Sequence, residues 1–133
     1  MTTPRPVRPS EIAWREHPAL PNGAKIAVLH GSPTEAGKYV FRVVSPAGLR
    51  VMPHTHTEDR IYTVISGKFR IGFGVTFHLD ELKSVPESGI VFVPKGQPHF
   101  QYADAGGYVV QVNGVGPTST DYVSAEDDPR TTS

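Results

Sequence analysis

The stretch MPHTHTEDRIYTVISG, residues 52–67, decides the fold. It places His54 and His56 one residue apart in a run that otherwise reads as a β-strand. Side chains at i and i+2 of a strand project from the same face. The two imidazoles can therefore offer nitrogens to one point in space. Arg60 follows four residues later, where a metal site would more naturally carry an acid.

Around this stretch lie short runs rich in valine, isoleucine, phenylalanine and tyrosine: residues 24–30, 38–44, 49–56, 60–66, 68–74, 90–94, 99–103 and 108–114. Turn signals such as GSPTEAG, SPAG, SG, ESG, PKGQP and DAGG separate most of them,. Regular short strands of this kind predict an all-β sandwich or barrel. Only HLDELKSV (78–85) has the pattern of a turn or two of helix. Pro4, Pro6, Pro9, Pro18 and Pro21 exclude a long helix near the start and predict an extended arm over 1–23,. The β-domain is expected over 24–123, and the polar residues 124–133 read as a loose tail,.

Composition narrows the function classes. A chain of 133 residues suits one domain,. Thirteen basic and thirteen acidic residues balance, so nothing favours nucleic acid or an anionic membrane as partner,. No cysteine is present, which removes thiolate nucleophiles, disulfides and thiolate-held metals,. No run reaches the roughly 18 apolar residues of a membrane span. MTTPRPVRPS lacks the apolar segment of a secretion signal, so a cytoplasmic location is expected,.

A third imidazole, His99, follows the bend VPKGQP and opens a later strand, so it can join the pair,. His17, His30 and His78 read as ordinary surface or hydrogen-bonded residues. If position 60 faces the interior, Tyr62 and Val64 do so too, and His99 brings Gln101 with it. Gln111 and Asn113 share one face of the last main strand, with Tyr108, Val110 and Val112 on the other. Gln111 is a candidate pocket or supporting residue. Phe41 and Arg42 compete for one inner position. Gly67, within ISGKF, reads as a tight hairpin glycine.

These residues resemble the cupin family, as a small single-domain member of the RmlC-like kind. The first cupin motif (Gly, five residues, His-x-His, three or four residues, Glu, six residues, Gly) is matched by Gly48, LRVMP, His54, Thr55, His56, TED, Arg60, IYTVIS and Gly67. Arg60 stands where the motif has its glutamate. The second motif is matched by Gly89, IVFV, Pro94, Lys95, Gly96, QP, His99, FQY and Ala103, with a first gap one residue short and Ala103 in place of asparagine. With the flanking strands, the likeness extends over residues 37–115.

The resemblance implies a single antiparallel β-barrel or jelly roll and a metal held by His54, His56 and His99. Iron or manganese is expected first, with zinc, nickel or cobalt as alternatives. Arginine offers no lone pair, so the ion must manage with three imidazoles and water, or recruit Glu58 or Asp59 from the following turn. The resemblance also implies a small-molecule ligand and a homodimer. Without the motif's acid the site is more positive, which favours an anionic ligand. The leading expectation is a metal-dependent enzyme, most simply an iron or manganese oxygenase of dioxygenase-like kind, with Arg60 and Tyr62 positioning or polarising an oxyanion; a Lewis-acid lyase or isomerase is the non-redox variant on the same residues. The alternatives are a non-catalytic binding or sensing module in the same pocket and, more weakly, an emptied barrel with Arg60 in the metal's place.

Overall fold

The computed structural model describes residues 3–131, so the outermost positions of the expected arm and tail lie outside it. Eight strands follow in order: β1 (Lys25–His30), β2 (Gly37–Ser45), β3 (Arg50–His56), β4 (Arg60–Phe73), β5 (Lys83–Val85), β6 (Ile90–Val93), β7 (His99–Gly116) and β8 (Thr120–Tyr122). All pairings are antiparallel. The only helices among the described residues are three single 3-10 turns. None is long and apolar enough to cross a membrane.

Two long strands organise everything else. The first part of β7 pairs with β3, and the second part with β2, while β4 runs along its other edge throughout. On its far edge β4 pairs first with β6 and then with β5. The hydrogen-bonded path therefore has two halves, β1-β2-β7-β4-β6 and β8-β3-β7-β4-β5, sharing β4 and β7. Inward residues of both halves line one cavity, Phe41 and Val110 from the first and Val51 and Gln101 from the second. This is a jelly roll whose ladder of hydrogen bonds does not close into a full barrel.

The crease is a matched pair of glycines. The β4–β7 register shifts twice between Val64 and Phe69. Gly67 has φ +76° and Gly107 has φ +64°. A Cβ on Gly67 would stand 2.3 Å from the Gly107 carbonyl oxygen. Gly67 thus serves a bulge inside one strand and not the expected hairpin. Runs 60–66 and 68–74 are one strand, as are runs 99–103 and 108–114. A glycine with positive φ is the local signal for both devices, and the partner strand chooses between them.

Other departures are small. HLDELKSV forms a single 3-10 turn (Leu79–Glu81) followed by β5. The three-residue β8, which pairs with β3 opposite His54 to His56, carries no sequence pattern of its own. Residues of the N-terminal segment fold back on the sheet, where Arg15 and Ile26 exchange backbone hydrogen bonds. The core is built where alternation predicts it, with Tyr108, Val110 and Val112 buried on one face of β7.

Candidate metal centre

β3 delivers His54 and His56, and the turn Pro94–Gln97 delivers His99. Gln97 N–H donates to the Pro94 carbonyl, and Gly96, at φ +76°, donates to the His56 carbonyl at 2.9 Å, tying the turn to β3. His99 then pairs directly with His54 across the β3–β7 ladder. One ring nitrogen from each histidine lies within 4.8 Å of the others, and all three side chains are buried. Nitrogens bonded at roughly 2.0–2.2 Å to one ion stand at most about 4.4 Å apart, so small rotations suffice to close the set.

The tautomers follow from the partners. Nδ1 of His54 faces the Met52 carbonyl at 2.7 Å, that of His56 the Ser119 carbonyl at 3.1 Å and that of His99 the Gln97 carbonyl at 3.0 Å. A carbonyl only accepts, so each Nδ1 carries the proton and each Nε2 keeps its lone pair. Burial holds all three pKa values below the ordinary histidine value: His99 falls to about 4, and for His54 and His56 the nearby His99 and Arg60 respectively add to the effect. At neutral pH the donors are neutral imidazoles. His56 Nε2 is buried with no hydrogen-bond partner. An orphaned lone pair facing two others fits a divalent cation, and backbone carbonyls behind each ring are the usual orienting partners of metal-bound histidines.

Arg60 lies beside this cluster. It is 6% exposed, although arginine is rarely buried unpaired,. Its Nη2 donates to Thr118 Oγ1 at 2.8 Å, its Nη1 to Tyr62 Oη at 3.2 Å and its Nε to Glu58 Oε2 at 3.4 Å. The guanidinium also stands over the Phe41 ring at 5.5 Å,. Burial opposes its charge, but Tyr62, Tyr39 and Glu58 outweigh that and hold its pKa above the ordinary value. Glu58 is buried as well, and Oε2 also accepts a short hydrogen bond from Tyr39. Tyr62 Oη is 3.5 Å from His99 Nε2, so the phenol connects Arg60 to the histidine cluster.

The sequence candidates therefore separate. His54, His56, Arg60, Tyr62 and Gln101 line a cavity of about 370 Å³, with His99 fully buried behind. Gln101 is held there by a hydrogen bond from Tyr108. Glu58 is committed to Arg60 and Tyr39 and does not line the cavity. Asp59 is exposed and accepts the Lys95 N–H. Gln111 points the other way and accepts from Arg42 at 3.0 Å, which also settles the competition on β2: Phe41 is inside and Arg42 outside. Sequence reading missed Thr118 and Ser119, which sit in a loop without periodicity. It also missed His17 and Arg15, which reach the cavity only because the N-terminal segment folds back.

A model of the cupin family matches residues 28–127, most of the chain. The chain is a cupin. No curated protein sequence matches it. Among solved structures, this cupin is similar to the polyketide cyclase RemF from Streptomyces resistomycificus, at 16% identity and a TM-score of 0.76 over 96% of this chain and 91% of that one. KdgF from Halomonas sp. is similar at 16% identity and a TM-score of 0.65, over 86% of this chain and 96% of that one. The DMSP lyase DddQ from Ruegeria pomeroyi also matches, at 20% identity and a TM-score of 0.65, over 80% of this cupin and 57% of DddQ. At such identities the likeness establishes the shared fold.

Proposed function

We propose that this cupin is a metal-dependent enzyme acting on a small molecule that presents an oxygen anion to the floor of the cavity. One observation carries the reading: three neutral imidazoles converge with no carboxylate among them, and a buried arginine stands next to them. A divalent ion held by His54, His56 and His99 would supply a Lewis acid whose charge no ligand carboxylate offsets.

The chain's own residues do the rest. Arg60 offers a permanent cation to a developing oxyanion, fixed in place by Glu58 and Thr118,. Tyr62 donates or accepts at a hydroxyl that already bridges Arg60 and His99. The apolar walls, among them Val43, Val51 and Val110, exclude water and strengthen both interactions,. This arrangement favours lyase, isomerase or cyclase chemistry. A cyclase and a lyase among the similar structures support that choice. The dioxygenase reading uses the same histidines and ranks second. Arg60 makes no hydrogen bond to any of the three rings among the described residues, which argues against an emptied site filled by its guanidinium. The proposal retains a cytoplasmic homodimer.

Metal analysis of protein purified without a histidine tag tests the first step. About one divalent first-row ion per chain is expected, and His56→Ala and His99→Ala should each lose most of it. Full retention in both variants places the ion elsewhere. Turnover of an oxyanion-bearing substrate panel that survives removal of dioxygen supports the Lewis-acid reading. Stoichiometric oxygen uptake would replace it with the oxygenase, and binding without turnover would leave a sensing module.

A further inference from the structure

The charges around the cavity are unevenly distributed. The chain has as many acidic as basic residues, yet no Asp or Glu is among the described residues that line this cavity, while Arg15, Arg60 and Arg130 all do. The three arginines are not equivalent. Arg60 lies at the floor and is matched by Glu58 from outside the cavity. Arg130 is held by Asp128 at 2.9 Å and also donates to the Thr120 carbonyl, so its charge is balanced. Arg15 has no ion-pair partner among the described residues.

Arg15 is nevertheless fixed in place. Its N–H donates to the Ile26 carbonyl at 2.9 Å, and Ile26 N–H donates back at 2.8 Å, which pins the segment across the first strand of the cavity wall. Between rim and floor the surface is apolar, with Leu20, Ile26, Val28 and Val43 along it. His17, on the same rim, responds to the local field. Burial lowers its pKa, and Arg130, Arg15 and Arg60 lower it further.

We infer that the cavity takes a bifunctional acid: an apolar body with one anionic oxygen at the His54–His56–Arg60 floor and a carboxylate-like group at the rim read by Arg15. The inference rests on the anion-binding reading of the floor given above. An apolar body satisfies the walls, and a second anion supplies the counter-charge that Arg15 lacks. Because Arg15 is solvent-exposed, its contribution is that of a screened rim contact,. It sets which acid is preferred and does not provide the bulk of the affinity.

Calorimetry on the full chain, with and without zinc, tests this using 2-naphthol and 6-hydroxy-2-naphthoate, which differ by one carboxylate. Wild type should bind the carboxylate probe about fivefold more tightly. Arg15→Gln should reduce that preference to less than about twofold while leaving 2-naphthol affinity unchanged, and Arg15→Lys, which keeps the charge, should retain most of it. Equal affinity of wild type for the two probes, binding of neither, or an equal loss of both in Arg15→Gln overturns the inference. The comparison in metal-free protein separates the two proposals, because Arg15 requires no ion. Failure to take up zinc removes the metal reading, whereas loss of the Arg15-dependent preference removes this one.

Discussion

On the cavity side of β4 stand Arg60, Tyr62 and Val64; on the opposite side, alternating with them, stand Ile61, Thr63 and Ile65. The arginine is 6% exposed and the two isoleucines 43% and 37%. At Arg60 the polarity is reversed relative to an ordinary half-buried strand, in which apolar residues such as Tyr62 and Val64 face inward,. The inner charge survives because the rest of the fold supplies Glu58, Tyr39, Tyr62 and Thr118 around it. The outer isoleucines require no comparable network, since single exposed apolar residues cost little. The comparison shows where this protein spends stability: on the wall of a site, not on the sheet that carries it.

The largest test of that contrast is pH. In metal-free protein the unfolded histidines protonate near pH 6.5, whereas folded His99 does so only near pH 4, and burial holds His54 and His56 well below the ordinary value too. Between these values the unfolded state binds more protons, so stability should fall as pH drops from about 6.5 toward 4. Urea melts across this window should show proton uptake on unfolding, smaller by about one proton in His99→Asn. Flat stability would mean that the rings are not buried as a neutral cluster.

Removal of the counter-ion comes next. Glu58→Ala leaves Arg60 buried and unpaired and should cost about 3–5 kcal/mol in denaturant melts. Tyr39→Phe deletes one hydrogen bond to the same carboxylate, whose Oε1 already lacks a partner, and should cost about 1–3 kcal/mol,. The smallest effect belongs to the outer face. Ile61→Thr keeps a β-branched residue on an exposed position and should change stability by about 0.5 kcal/mol or less. A cost for Ile61→Thr comparable to that for Glu58→Ala would show that the outer face is covered in solution and would erase the contrast.

Much of the site was legible because it depends on short-range geometry. His54, Thr55 and His56 on one strand force two rings to one side, and Pro94 to Gly96 announce the bend before His99. Tyr62 and Gln101 followed by parity alone. Glu58 was less legible: it belongs to a turn, where alternation gives no direction, and its carboxylate is captured by Tyr39 from a strand nineteen residues earlier. Arg60 shows the same limit. Strand parity offers the arginine a place on the inner face but names no counter-ion for it. The structure has the arginine paired with Glu58 and in the wall at once, because Glu58 is itself buried.

The sequence by itself determined the β-architecture, the shared faces of β3, β4 and the start of β7 and the convergence of three histidines, since strand periodicity and turn chemistry act over a few residues. Only the tertiary structure decided that Gly67 bends a continuous strand, that Arg60 keeps a buried counter-ion and that Arg15 reaches the rim. Each of these depends on residues that are distant in sequence: Gly107 across the ladder, Tyr39 behind the carboxylate and Ile26 beneath the folded-back segment. Local patterns carry no record of such pairings, because sterics and hydrogen bonding between distant segments arise only once the chain has closed on itself.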